Sequence, residues 1–209
     1  MNPQIAFSFR IVGVQADFSV ELGAGDPTLQ MPWSSPDPAV QYYDLRACPE
    51  LLARIPETAE NDPLAKFLAA VNSPHSLLQS AKCDTWSSRE MDVDDEMFGA
   101  ACKYESYVDL APLAEDARYG FAEVEDWGRK IARLLQRAPE IPASAEFVIR
   151  RCYYGAAPDS IREGFYFTFY LSGYGEDEPQ AREQWSIALH LVGNALLQFA
   201  AAELARARQ

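Results

Sequence analysis

The hydrophobic pattern is strongest near the end of the chain. From Gln184 to Ala202 no residue carries a formal charge, and Trp185, Leu189, Val192, Leu196 and Phe199 fall on one helical stripe. Ser186, His190, Asn194 and Gln198 recur at intervals of four along the same segment. A helix this apolar needs cover from the rest of the protein, so it is expected to mark the centre of the core. Upstream, the period changes from helix to strand. Ile5, Phe7, Phe9 and Ile11 alternate with Ala6, Ser8 and Arg10, predicting a strand over 5–14. Phe18, Val20 and Leu22 predict a second. Pro27, Pro32, Pro36, Pro38 and two glycines then predict an irregular loop over 23–38, in which Met31 and Trp33 pack inward.

Pro49 suits the first turn of a short helix through Ile55. Asn61 or Asp62 can cap another, with Leu64, Phe67, Leu68 and Val71 inward and Asn72-Ser73-Pro74 at its end. Strands are expected at about 78–87 and 102–110, on either side of the acidic stretch Asp92–Glu96. Asp116–Arg137 reads as an amphipathic helix with Val124, Trp127, Ile131 and Leu134 inward, its acids early and its bases late, as the helix dipole favours. Strands over 147–154 and 165–172 precede the uncharged helix.

From residue 78 onward the order is strand, strand, helix, twice over. Tyr119-Gly120 and Trp127 are echoed by Tyr174-Gly175 and Trp185, and Cys83 by Cys152, so units 78–137 and 146–205 suggest a ββα duplication within 78–205. The fold class expected is α+β: a mainly antiparallel sheet of five to seven strands, helices packed on one face, within a single domain spanning 1–209.

Phe165, Phe167, Phe169 and Leu171 alternate with Tyr166, Thr168, Tyr170 and Ser172. The phenylalanines belong under the last helix. The opposite face then collects Arg10, Lys82, Asp84, Trp86, Lys103, Glu105, Tyr107, Asp109 and one or both of Arg150 and Arg151, because a slip of one residue exchanges the faces. Two outcomes compete for it. One is a solvated surface with cross-strand ion pairs worth under about 1 kcal/mol each. The other is a binding surface, since tyrosine, tryptophan and arginine are enriched at interface hot spots.

Charge narrows the choice of partner. The chain has 31 acids and 18 bases, net −13, and the imbalance sits mostly in its first half. Such a surface repels phosphates, which argues against nucleic acid, and favours a basic protein. Residues 184–202 nearly suffice to span a bilayer, but His, Asn, Gln, Ser and Gly dilute them, so no membrane is expected. The opening Met-Asn-Pro-Gln lacks the basic and apolar regions of an export signal. A cytoplasmic protein with reduced thiols at Cys48, Cys83, Cys102 and Cys152 is therefore expected. Arginine outnumbers lysine 14 to 4, which points to a GC-rich bacterial genome.

No motif names a reaction. His75 and His190 are the only histidines. Ser186 and His190 stand one turn apart on one helix, which rarely aims a hydroxyl at an imidazole, and no GxSxG exists. His190 is therefore expected as a satisfied, partly buried side chain. Asp92–Glu96 lacks the glycine of a calcium loop, and Gly23-Ala24-Gly25 lacks the third glycine of a dinucleotide turn, so no metal and no cofactor are predicted. Asp84, Glu105 and Asp109 could gather on neighbouring strands, but Lys82, Lys103 and Arg150 would neutralise them.

The leading expectation is a non-enzymatic, inhibitor- or immunity-like protein whose acidic first half meets a basic partner. An alternative is a small-molecule or enzymatic site between the polar aromatic face and the loop, built from Trp33, Glu105, Tyr107, Arg150, Tyr166 and Tyr170. There Trp33 would close over Tyr166, Tyr170 and Arg150. A third is a homodimer through the tyrosine face.

Overall fold

The computed structural model describes residues 15–37, 40–91, 99–155 and 157–207. The strand expected over 5–14, with Arg10, and the acidic stretch 92–96 lie outside them. The order of elements is β1 (Gln15–Glu21), β2 (Thr28–Met31), a 3₁₀ turn (Pro49–Arg54), α1 (Pro56–Glu60), α2 (Asp62–Val71), β3 (Leu78–Ser88) and β4 (Cys102–Pro112). Then come α3 (Glu115–Tyr119), α4 (Phe121–Leu135), β5 (Ala143–Tyr154), β6 (Arg162–Gly175) and α5 (Glu178–Arg206).

All six strands form one mixed sheet, ordered β1-β5-β6-β4-β3, with β2 following β1 along the same flank of β5. Four strands are antiparallel, as expected of an α+β protein; β1 and β2 run parallel to β5. Register settles which arginine points where. Phe169 pairs with Val108 and Phe147, all under the helices, while Tyr166 pairs with Arg150 on the other face. Arg151 therefore falls on the helical side, where it meets Glu163 at 2.9 Å.

The helices cover one face. Phe167, Phe169 and Phe147 are fully buried there, and α5 lays Trp185, Leu189, Val192, Leu196 and Phe199 over them. Each such side chain removed from water contributes roughly 1.5–3 kcal/mol. Approach is close because Gly173 faces α5: a Cβ there would stand 2.5 Å from the Ala181 carbonyl oxygen. Trp185 donates from Nε1 to Ser106 Oγ at 2.8 Å, and Trp127 of α4 meets Phe199 edge-on at 5.1 Å. Among the described residues α5 alone is long and apolar enough to cross a membrane, and 44% of its most apolar window is buried inside the protein.

Three expectations change in detail. β2 lies inside the segment read as irregular. Thr28–Met31 alternates exposed and buried residues between Pro27 and Pro32, and a parallel edge strand of four residues tolerates prolines at both ends. The helix expected over 116–137 is broken at Gly120, which separates α3 from α4, and Leu135 enters the core while Leu134 stays half-buried. The strand–strand–helix order occurs twice, but the echoes occupy unlike places. Tyr119-Gly120 ends a helix, whereas Tyr174-Gly175 ends a strand. Cys83 packs on the helical side and Cys152 on the other.

Candidate functional site

The centre of the polar face of the sheet is buried, while its β3 edge, with Asp84 and Trp86, is exposed. Thr168, Asp109, Arg150 and Lys103 are only 1%, 6%, 7% and 8% exposed. Their neighbours explain how that is tolerated. Arg150 donates from Nε to Glu21 at 2.8 Å and from Nη1 to the Tyr170 hydroxyl at 2.9 Å, with its guanidinium over the Tyr170 ring. Burial alone would lower the pKa of this guanidinium; the bonds to Tyr170 and Glu21 outweigh it and raise it. Glu105 accepts from Trp86 Nε1 at 2.8 Å and Ser172 Oγ at 3.2 Å, and Lys103 Nζ stands 3.3 Å away. Tyr107 packs between Trp86 and Tyr170 at 6.5 and 6.3 Å.

Asp109 is the strained member. Burial pushes its carboxyl up to about 6, against the opposing pull of the Thr168 hydrogen bond and the charges of Lys82 and Arg150.

At the β3 edge this network meets a cavity. One extra residue bulges β3 between Ser80 and Cys83. Trp33, in the segment after β2, donates from Nε1 to the Ala81 carbonyl at 2.8 Å, stands edge-on to Tyr42, and carries Lys82 Nζ 5.0 Å above its ring. Between this segment, the Arg54–Glu57 corner and the bulge lies a half-open cavity of about 410 Å³. Trp33, Tyr43, Arg54, Glu57, Lys82, Cys83 and Tyr107 are among its walls.

Its chemistry is that of donors. Burial first, then the charge of Asp109, pushes the Tyr107 phenol up to about 12. Burial, followed by the charges of Glu57, Asp84 and Asp109, does the same to the Cys83 thiol. Both stay protonated near neutrality, so Cys83 is a poor nucleophile. Neither Lys82 nor Arg54 is held in an ion pair among the described residues.

The residues expected to form one site thus separate. Trp33 and Tyr107 line the cavity. Glu105, Arg150 and Tyr170 belong to the polar network of the sheet. Tyr166 lies in a small second core with Leu29, Met31 and Cys152, which Trp33 borders. Trp33 therefore closes over Ala81 and Lys82, leaving Tyr170 and Arg150 outside the cavity wall. Arg54, Tyr43 and the bulge carried no signal in the sequence pattern, although Met31 and Trp33 pointed to a segment packed against the rest of the protein. A second cavity of about 340 Å³ lies between α2 and α5 beside Ser186, His190 and Asn194. His190 is exposed rather than partly buried, with Nε2 3.1 Å from Asn194 Nδ2.

Comparison with family models, curated proteins and solved structures gives no match.

Proposed function

We propose that this protein binds a small organic anion, a carboxylate on an apolar or aromatic body, in the cavity beside the β3 bulge. The observation that carries this reading is the contrast between cavity and chain. The protein has net charge −13, yet the cavity wall holds Lys82 and Arg54 against Glu57 alone. Trp33, Tyr43 and Tyr107 supply flat apolar surface beside those cations, and the protonated Tyr107 hydroxyl supplies a further donor. Its volume falls within the roughly 300–1,000 Å³ of small-molecule sites. Binding rather than turnover is favoured because neither thiol nor phenol is poised to give up its proton. An association surface would offer tyrosines and arginines to a partner, whereas Arg150 here is buried and engaged with Glu21 and Tyr170.

The test is a thermal-shift and tryptophan-fluorescence titration with aromatic and aliphatic monocarboxylates, each beside its neutral amide. Carboxylates are expected to raise the melting temperature and amides to leave it unchanged. Lys82→Gln and Arg54→Gln, both with native circular dichroism, are expected to abolish the response. Equal response to amides, or full response in both variants, would overturn the assignment.

A further inference from the structure

The outward side of α5 is a long uncharged surface on an acidic protein. Ile187, His190, Asn194, Gln198 and Ala201 are exposed there and Leu191 is half-buried. Positions 187, 191, 194, 198 and 201 are spaced by four, three, four and three residues, the seam spacing of two helices packed at a shallow angle. We infer that this seam holds a second copy of the same chain, with α5 packed antiparallel against α5 about a twofold axis through Asn194.

Charge supports a second copy first. Two bodies of net charge −13 repel wherever their acids meet, and residues 184–202 offer a stripe about 27 Å long on which none do. Shape agrees. A twofold axis at Asn194 sets Ile187 against Ala201 of the second copy, large against small, and brings Leu191 beside the aliphatic stem of Gln198. At the axis Asn194 meets its own equivalent, and a pair of amides there fixes register. A membrane fits less well: His190, Asn194 and Gln198 occupy the middle of the stripe, and an acidic body is repelled by anionic headgroups.

Sedimentation equilibrium of the full chain at tens of micromolar tests this. The wild type is expected to show twice the chain mass, holding or tightening as salt is raised, because salt screens the acids outside the seam. Ile187→Glu, an exposed position where folding is checked by circular dichroism, is expected to weaken the dimer by about tenfold or more. Asn194→Cys is expected to give a disulfide-linked dimer on mild oxidation that the wild type does not form. A wild type that stays monomeric overturns the proposal. So does a dimer that is indifferent to Ile187→Glu and that Asn194→Cys fails to cross-link, or a monomer that instead partitions onto phosphatidylcholine vesicles.

Discussion

Phe167 and Thr168 are neighbours in β6, one fully buried and the other 1% exposed, and they face opposite ways. Under Phe167 the sheet is sealed by helices and apolar contact. Around Thr168 it is sealed by polar groups that hold one another. The two faces fail differently when disturbed. Apolar burial is additive and tolerant of geometry, so each lost ring costs its own contacts and the cavity it leaves. A buried polar network depends on matching, since a donor or acceptor without its partner bears the full cost of leaving water.

Truncation on the helical side is therefore expected to have the largest effect. Phe167→Ala removes a ring that stands between Phe147, Gly128 and the helices, and urea unfolding is expected to show a loss of about 3–5 kcal/mol. A loss under about 1 kcal/mol would mean that the face is loosely packed and that the contrast with the polar side is overstated.

Next in size, and opposite in sign, is Asp109→Asn. The Asp109 carboxyl titrates at about 6 when folded, above the usual carboxylate value near 3.8 that it takes when unfolded. Between those two values the folded state binds the proton more tightly, so this residue's contribution declines as pH rises from about 4 to about 6. Above that window the ionised carboxylate costs about 2–3 kcal/mol of folding free energy. Asparagine keeps an oxygen for the Thr168 hydroxyl, at 2.8 Å from Asp109 in the native protein, without the charge. Thermal melts at pH 7.5 are expected to show Asp109→Asn more stable than the wild type, and melts at pH 4 to show no difference. The same stabilisation at both pH values would assign the effect to packing.

The same contrast explains what was legible in the sequence. The alternation of Phe165–Leu171 and the stripe from Trp185 to Phe199 read correctly, because apolar burial leaves a periodic mark. The polar face left the mark of a solvated surface, since periodicity cannot separate residues turned to water from residues turned to one another. Register was equally silent: choosing Arg150 over Arg151 needed the pairing of β5 with β6. The four residues of β2 were hidden by their flanking prolines, and the bulge at Ser80–Cys83, which shapes the cavity, has no local signature. Trp33 and Tyr107, which line the cavity, could be singled out as candidates from the loop and from strand alternation, whereas Arg54 reaches the cavity wall only through the fold of the Pro49–Glu57 corner.

The smallest effect expected is also the sharpest probe of how the polar face holds together. Glu105 accepts from Trp86 and Ser172 and stands beside Lys103 with its side chain 16% exposed. Glu105→Gln keeps one acceptor but turns an amide NH₂ towards at least one donor, and an indole N–H cannot reverse its role. Ser172 can, by rotating its hydroxyl. The single change is expected to cost about 1 kcal/mol, because Trp86, 38% exposed, can take water in place of Glu105. Combining it with Trp86→Phe in a double-mutant cycle isolates the pair. A coupling of about 0.5–1 kcal/mol is expected, since both variants remove the same hydrogen bond and their costs should not add. Strict additivity would show that Glu105 is held by Ser172 and Lys103 alone, and that the exposed rim of this face gains nothing from the network at its centre.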